Sequence, residues 1–197
     1  QTMKIILASK SGVRKQILDK YKVDSEVKIS NVDEDQIKES LLKQKATPLI
    51  ISKNLAEIKS IKISNQNPNR LVLGADSVIS LNNKLINKPK SRTEAFNILK
   101  ELNNTEHFLI SSVCISKNGS MVWNHSDQSE LKMKNFTEEE LTKYLDKIDT
   151  DTLLRYGVYQ IEADGLSLFD YIKGDRDSIM GLPIKQIMNY IKNYKHE

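Results

Sequence analysis

Between Leu71 and Leu81 the chain has the branched, apolar composition of a strand crossing a core, and one carboxylate interrupts it within Leu73-Gly74-Ala75-Asp76-Ser77-Val78. A lone buried carboxylate is costly, so any fold of this chain must bring a cation or hydrogen-bond donors to Asp76. Two environments meet that demand: a bulge whose local donors hold a structural Asp, or a strand end that opens on a cleft. The other polar positions have to separate the two.

Extended and helical patterns intermix along the rest of the chain. Met3 to Ala8 predicts a first strand, and Ile17, Leu18 and Tyr21 follow at helical spacing. Their junction, Ser9-Lys10-Ser11-Gly12-Val13-Arg14, carries hydroxyls, helix N–H groups and a guanidinium that suit an anion, and equally the N-cap serine of an ordinary helix. The acids of Asn31-Val32-Asp33-Glu34-Asp35 precede a helical pattern through Ile37, Leu41 and Leu42, and Thr47-Pro48 starts another whose stripe is Ile51, Leu55 and Ile58, with Ala56 and Lys59 at its edge. Leu85-Ile86 is extended and closes at Lys88-Pro89, Ser91 and Glu94 have capping-box spacing, and Asn118-Gly119 marks a hairpin from His107 to Met133. Thr137 with Glu140 caps a further helix. Val158–Ile161 predicts a strand leading to Glu162, Asp164 and Gly165, then Leu166–Ile172, the loop Lys173–Asp177, and a last helix opened by Gly181-Leu182-Pro183. The expectation is an α/β fold, a mixed sheet with flanking helices, in one domain over residues 1–197 without linker or repeat.

Composition narrows the function. The 30 basic and 26 acidic residues are interspersed, and only 6% of residues are aromatic, which argues against a nucleic-acid surface. No apolar run approaches the length of a membrane span, and Gln1-Thr2-Met3-Lys4-Ile5 lacks the pattern of a signal peptide, so the expected setting is cytoplasmic. The single cysteine, Cys114, lies in an apolar run and reads as core; the three histidines lack zinc spacing. G-x-S-x-G, H-E-x-x-H, the phosphate-loop Gly-Lys-Ser/Thr and G-x-G-x-x-G are all missing. What remains at strand ends and in apolar segments is Ser9, Arg14, Glu34, Lys59, Asp76, Lys88, Glu162 and Asp175. Carboxylates with cations suit a magnesium-dependent attack of water on a phosphoanhydride, with Asp76 the best placed proton acceptor.

In order and spacing, Leu7-Ala8-Ser9-Lys10-Ser11 with Arg14, Val32-Asp33-Glu34, Leu55-Ala56-Glu57-Ile58-Lys59, Leu73–Val78, Lys88-Pro89, Tyr159–Gly165 and Gly174-Asp175 through Gly181-Leu182-Pro183 resemble the Maf family of nucleotide pyrophosphatases over essentially the whole chain. The resemblance implies two lobes around a deep cleft, an inosine triphosphatase-like architecture, a homodimer, and cleavage of a nucleoside triphosphate to the monophosphate and pyrophosphate. It implies that Asp76 is the proton acceptor with Glu34 and Lys88 beside it. Ser9, Arg14, Lys59, Glu162 and Asp175 become substrate-binding, and Glu34, Asp76 and Glu162 ligands of a divalent metal, magnesium or manganese.

Two departures stand out. Gly12 and Val13 replace the family's usual Pro and first Arg, which leaves Lys10 or Lys15 as the possible substitutes. Glu162 replaces a neutral amide, as in variants acting on methylated guanine nucleotides, whereas Gly74-Ala75-Asp76-Ser77 is similar to the group acting on dTTP and UTP. Base preference stays open between them. The competing reading, also implied by the resemblance, is a regulator of septum formation that binds nucleotide without hydrolysing it.

Overall fold

Side chains alternate between two faces along the first strands, and that alternation organises the molecule. In a computed structural model, which describes residues 3–161 and 164–194, β1 (Ile5–Leu7) pairs in parallel with β2 (Ser25–Val27) and with β3 (Val72–Leu81), Ile6 opposite Val72 and Leu7 opposite Leu73. Ile5, Leu7, Leu71, Leu73 and Ala75 join a core with Ile17 and Leu18 of α1 (Gly12–Lys20) and Ile184 and Ile187 of α8 (Ile184–Asn193). The intervening residues Ile6, Ala8 and Val72 pack with Ile63 of α3 (Pro48–Gln66). Period-two patterning thus assigns even-numbered β3 residues to the α3 side and odd-numbered ones to the α1 side.

The seven-stranded mixed sheet has the order β2-β1-β3-β5-β6-β7, with β4 (Lys84–Ile86) antiparallel to β3. Strands β5 (Glu106–Lys117) and β6 (Ser120–Met133) form the expected hairpin, and Asn118 and Gly119 both take the positive φ that a tight two-residue turn requires. β7 (Phe169–Lys173) is antiparallel to β6. The remaining helices are α2 (Glu34–Lys43), α4 (Arg92–Leu102), α5 (Glu138–Asp146), α6 (Thr150–Tyr156) and α7 (Arg176–Ile179). Thr47 caps α3 and Ser91 caps α4, while Thr137 and Glu140 complete a reciprocal capping box at α5.

Two compact units emerge. One comprises Gln1–Ser77, Ile110–Asp127 and Asp175–Glu197; the other comprises Val78–Leu109 and Gln128–Gly174. In the second, Arg92 donates to the Ile148 and Leu145 carbonyls at 2.8 and 2.6 Å, tying α4 to the end of α5.

The structure corrects the sequence reading at several points. Val158–Ile161 is not a strand: Gly157 ends α6 at φ 95°, and the following apolar residues are buried in an irregular segment whose Val158 carbonyl accepts from Tyr144 Oη at 2.9 Å. Leu166–Ile172 splits between a 3-10 turn, Asp164–Leu168, and β7. Strand β2 and helices α6 and α7 have no counterpart in the sequence reading. For α6 a signal existed, since Asp149 caps it and Gly157 stops it.

Candidate active site

Helix α3 lies against β3 because residue 74 is glycine. A Cβ there would collide with the Ala56 carbonyl oxygen and lie 2.9 Å from the Ser60 nitrogen. This close approach gives α3 a partly polar buried face: Ser52, Lys59, Ser60 and Ser64 are buried with Ile51, Leu55 and Ala56. Lys59, read from sequence as an edge residue, is only 7% exposed. Ser52 Oγ donates to the Asp76 carbonyl at 3.1 Å, and Ser60 Oγ lies 2.8 Å from Ser116 Oγ.

On the α3 side of the strand, Lys59 Nζ stands between two carboxylates, 3.1 Å from Glu34 Oε1 and 3.4 Å from Asp76 Oδ1. Glu34 opens α2, capped by Asp33, where the helix dipole favours an acid. Asp76 is 7% exposed, and its second oxygen, Oδ2, is buried with no hydrogen-bond partner among the described residues. Burial pushes the Asp76 carboxyl above the usual carboxylate range; Lys59, Lys38 and Arg14 oppose that rise and Glu34 adds to it. Lys38 was not singled out from sequence, although its place one helical turn after Glu34 offered a signal.

The next residue, Ser77, belongs to the opposite face and meets Arg14. The guanidinium donates from Nη2 to Ser77 Oγ at 3.1 Å, from Nη1 to Ser9 Oγ at 3.0 Å and from Nε to the Gly181 carbonyl at 2.9 Å. Burial lowers the Arg14 pKa, while Asp76 and Glu34 act to raise it. Ser11 caps α1 by accepting from the Arg14 backbone N–H, and its own N–H donates to Ser9 Oγ at 3.2 Å. The Ser11 cap and the Arg14 hydrogen bonds to Ser9, Ser77 and Gly181 occur together at this junction.

Ser9, Arg14, Glu34, Lys59 and Asp76 therefore form one linked group within the first unit. Asp175 belongs to that unit but serves as the N-cap of α7, accepting from the Ser178 N–H at 3.0 Å and pairing with Lys185 at 3.4 Å. Lys88 follows β4 in an exposed stretch of the second unit. Glu162 lies outside the described residues. Val13 packs against the hydrophobic core, and Lys15 is engaged by Asp19 at 2.8 Å and by the Ser25 carbonyl and hydroxyl. Cys114 is buried, its thiol pushed up to about 12 by burial, which suits packing rather than attack.

A divalent cation fits this donor set. Asp76 has an oxygen with no partner and shares its lysine with Glu34, while no group of three or more His, Cys, Asp or Glu side chains capable of holding a metal occurs among the described residues. Two carboxylates, with water and substrate phosphates completing the shell, is the manner in which magnesium is commonly bound.

Comparisons with known proteins cover almost the whole chain. The model of the family described as "Maf-like protein" matches residues 4–194. A nucleoside triphosphate pyrophosphatase of Pelagibacter ubique is 58% identical over 97% of this chain and 98% of its own length. One from Ruegeria pomeroyi is 34% identical over 96% of each chain, and a 7-methyl-GTP pyrophosphatase of Rhizobium etli is 32% identical over 97% of this chain and 96% of its own. With a family model matching residues 4–194 and a relative 58% identical almost end to end, the chain belongs to the Maf-like protein family.

Proposed function

We propose that this protein hydrolyses a nucleoside triphosphate to the monophosphate and pyrophosphate with the help of magnesium or manganese. The observation that carries the reading is Lys59 held between Asp76 and Glu34, with one Asp76 oxygen buried and without a partner among the described residues. Relatives named for the same reaction support it. Ser9 Oγ and the Arg14 N–H groups not used by Ser9, Ser77 and Gly181 bind phosphate oxygens. Lys59 offsets charge that builds on the phosphates in the transition state. Asp76 takes a proton from water as its oxygen bonds to phosphorus; the anhydride P–O bond breaks, and pyrophosphate leaves with the bonding electron pair. Glu34 and Asp76 would hold the divalent cation, which when bound neutralises phosphate charge and polarises the phosphoryl group. Phosphate binding by Lys88, base contact by Glu162, a cytoplasmic role in clearing modified or surplus nucleotides, and a homodimer belong to the same reading.

The test is incubation of purified protein with magnesium and a panel containing dTTP, UTP, GTP and 7-methyl-GTP. The expected result is paired release of monophosphate and pyrophosphate from at least one of them. Folded protein that binds triphosphate and releases neither product overturns the reading and leaves the non-hydrolysing regulator. The relatives' names divide between nucleoside triphosphates in general and 7-methyl-GTP, so the panel also decides base preference.

A further inference from the structure

Behind Arg14 runs a chain of hydroxyls whose proton direction is determined by its far end. Ser111 Oγ in β5 lies 2.6 Å from the Ser178 carbonyl oxygen, and a carbonyl can only accept, so Ser111 spends its one hydroxyl proton there. Ser77 Oγ lies 3.0 Å from Ser111 Oγ, and with the Ser111 proton committed, Ser77 must be the donor of that pair. The Ser77 lone pairs then face Arg14 Nη2 at 3.1 Å. Every link points the same way, from Arg14 through Ser77 and Ser111 to the Ser178 carbonyl, and bonds aligned in one direction polarise one another.

The end of the chain is itself anchored. Ser178 is 1% exposed; its N–H donates to Asp175 at 3.0 Å and its hydroxyl to Asp127 Oδ2 at 2.6 Å, while Asp127 Oδ1 lies 2.6 Å from His125 Nε2. Three residues after Ser178, the Gly181 carbonyl accepts from Arg14 Nε at 2.9 Å. One turn thus receives Arg14 twice, directly at Gly181 and through the two serines at Ser178, and the two attachments together constrain the plane of the guanidinium. Flat bidentate contact with a phosphate depends on that plane.

We infer that Ser111, a residue 1% exposed that shares a hydrogen bond with Ser77, is a positioning residue of the anion site, acting through Ser77 to hold Arg14 in its phosphate-binding orientation. The inference rests on the phosphate-binding role of Arg14 proposed above. The experiment is a double-mutant cycle of Ser111→Ala and Ser77→Ala, read as affinity for inorganic pyrophosphate by calorimetry and as KM and kcat for a triphosphate that the wild type turns over. Ser111→Ala is expected to weaken pyrophosphate binding about three- to tenfold, the range of one hydrogen bond, and to have almost no effect once Ser77 is alanine. Ser111→Thr keeps the hydroxyl and restores binding. Ser111→Cys retains volume with a weaker donor, and it gives a partial loss that stands in if the alanine variant does not fold. Equal losses in both backgrounds, or none in either, overturn the inference even if wild-type hydrolysis is normal. A wild type that binds pyrophosphate without hydrolysing triphosphate overturns the proposed reaction alone, whereas one that does neither overturns both.

Discussion

Asp76 in the first unit and His107 in the second are both buried polar groups with one atom lacking a partner among the described residues, yet their surroundings differ in kind. Asp76 is paired with Lys59 at 3.4 Å and feels the charges of Lys38 and Arg14, which oppose the rise that burial imposes on its carboxyl. His107 packs against the rings of Tyr159 and Phe169, with centroids 5.8 and 5.9 Å away, and its Nε2 meets the Tyr159 hydroxyl at 2.9 Å. Burial alone pushes the His107 pKa down to about 4, which keeps the imidazole neutral. An unpartnered nitrogen on a neutral ring among aromatics costs stability and recruits little. An unpartnered carboxylate oxygen with a lysine at its other oxygen and further cationic charge acting on it is prepared for a proton or a metal. Burial therefore does not distinguish a structural polar group from a chemical one; the charge of its neighbours does.

The largest effect expected of a single change lies at the first of these positions. Asp76→Asn keeps the shape and removes the base, so turnover should fall about 10²- to 10⁴-fold while thermal denaturation shows a folded protein. Near-wild-type turnover would make Asp76 as structural as His107. Lys59→Met should destabilise by about 3 kcal/mol, because it leaves the buried Asp76 and the half-buried Glu34 without their shared cation; urea denaturation measures it. No loss would mean that Lys38 and Arg14 suffice to hold Asp76.

Of about the same size is the pH response of the second position. A histidine whose folded pKa is lowered is protonated more readily in the unfolded chain. Its contribution to stability is full above the unfolded value of about 6.5 and is lost as pH falls toward about 4. The loss should be on the order of 3 kcal/mol in urea denaturation between pH 7 and pH 4. His107→Gln should flatten that dependence; an equal loss in the variant would assign the acid sensitivity elsewhere.

Much of this was legible in local chemistry. Asn118-Gly119 between alternating runs has few alternatives to a hairpin, and Thr137 with Glu140 specifies a helix start within four residues, so the turn and the helix start both emerged where expected. Segment Val158–Ile161 misled because its apolar residues signal burial, which an irregular segment satisfies as well as a ladder. Ser111 was illegible for the opposite reason: a serine in an apolar strand gives no hint whether its proton goes to its own backbone or to a distant carbonyl. The one available signal was the density of serines in β5, where Ser111, Ser112 and Ser116 are all buried and each meets another serine.

By itself the sequence determined the succession of most strands and helices, and it required that a strand bearing Asp76 find a cation. Local propensity and the cost of burying charge act along the chain, so both are written in the order of residues. Only the tertiary structure decided that the cation is Lys59, 17 residues away, that Glu34 shares it, and that Ser77 turns to Arg14, 63 residues away, and onward through Ser111 to Ser178. Ion pairs and hydrogen bonds at about 3 Å depend on how strand faces and helices pack, and Gly74 sets that packing by letting α3 approach β3.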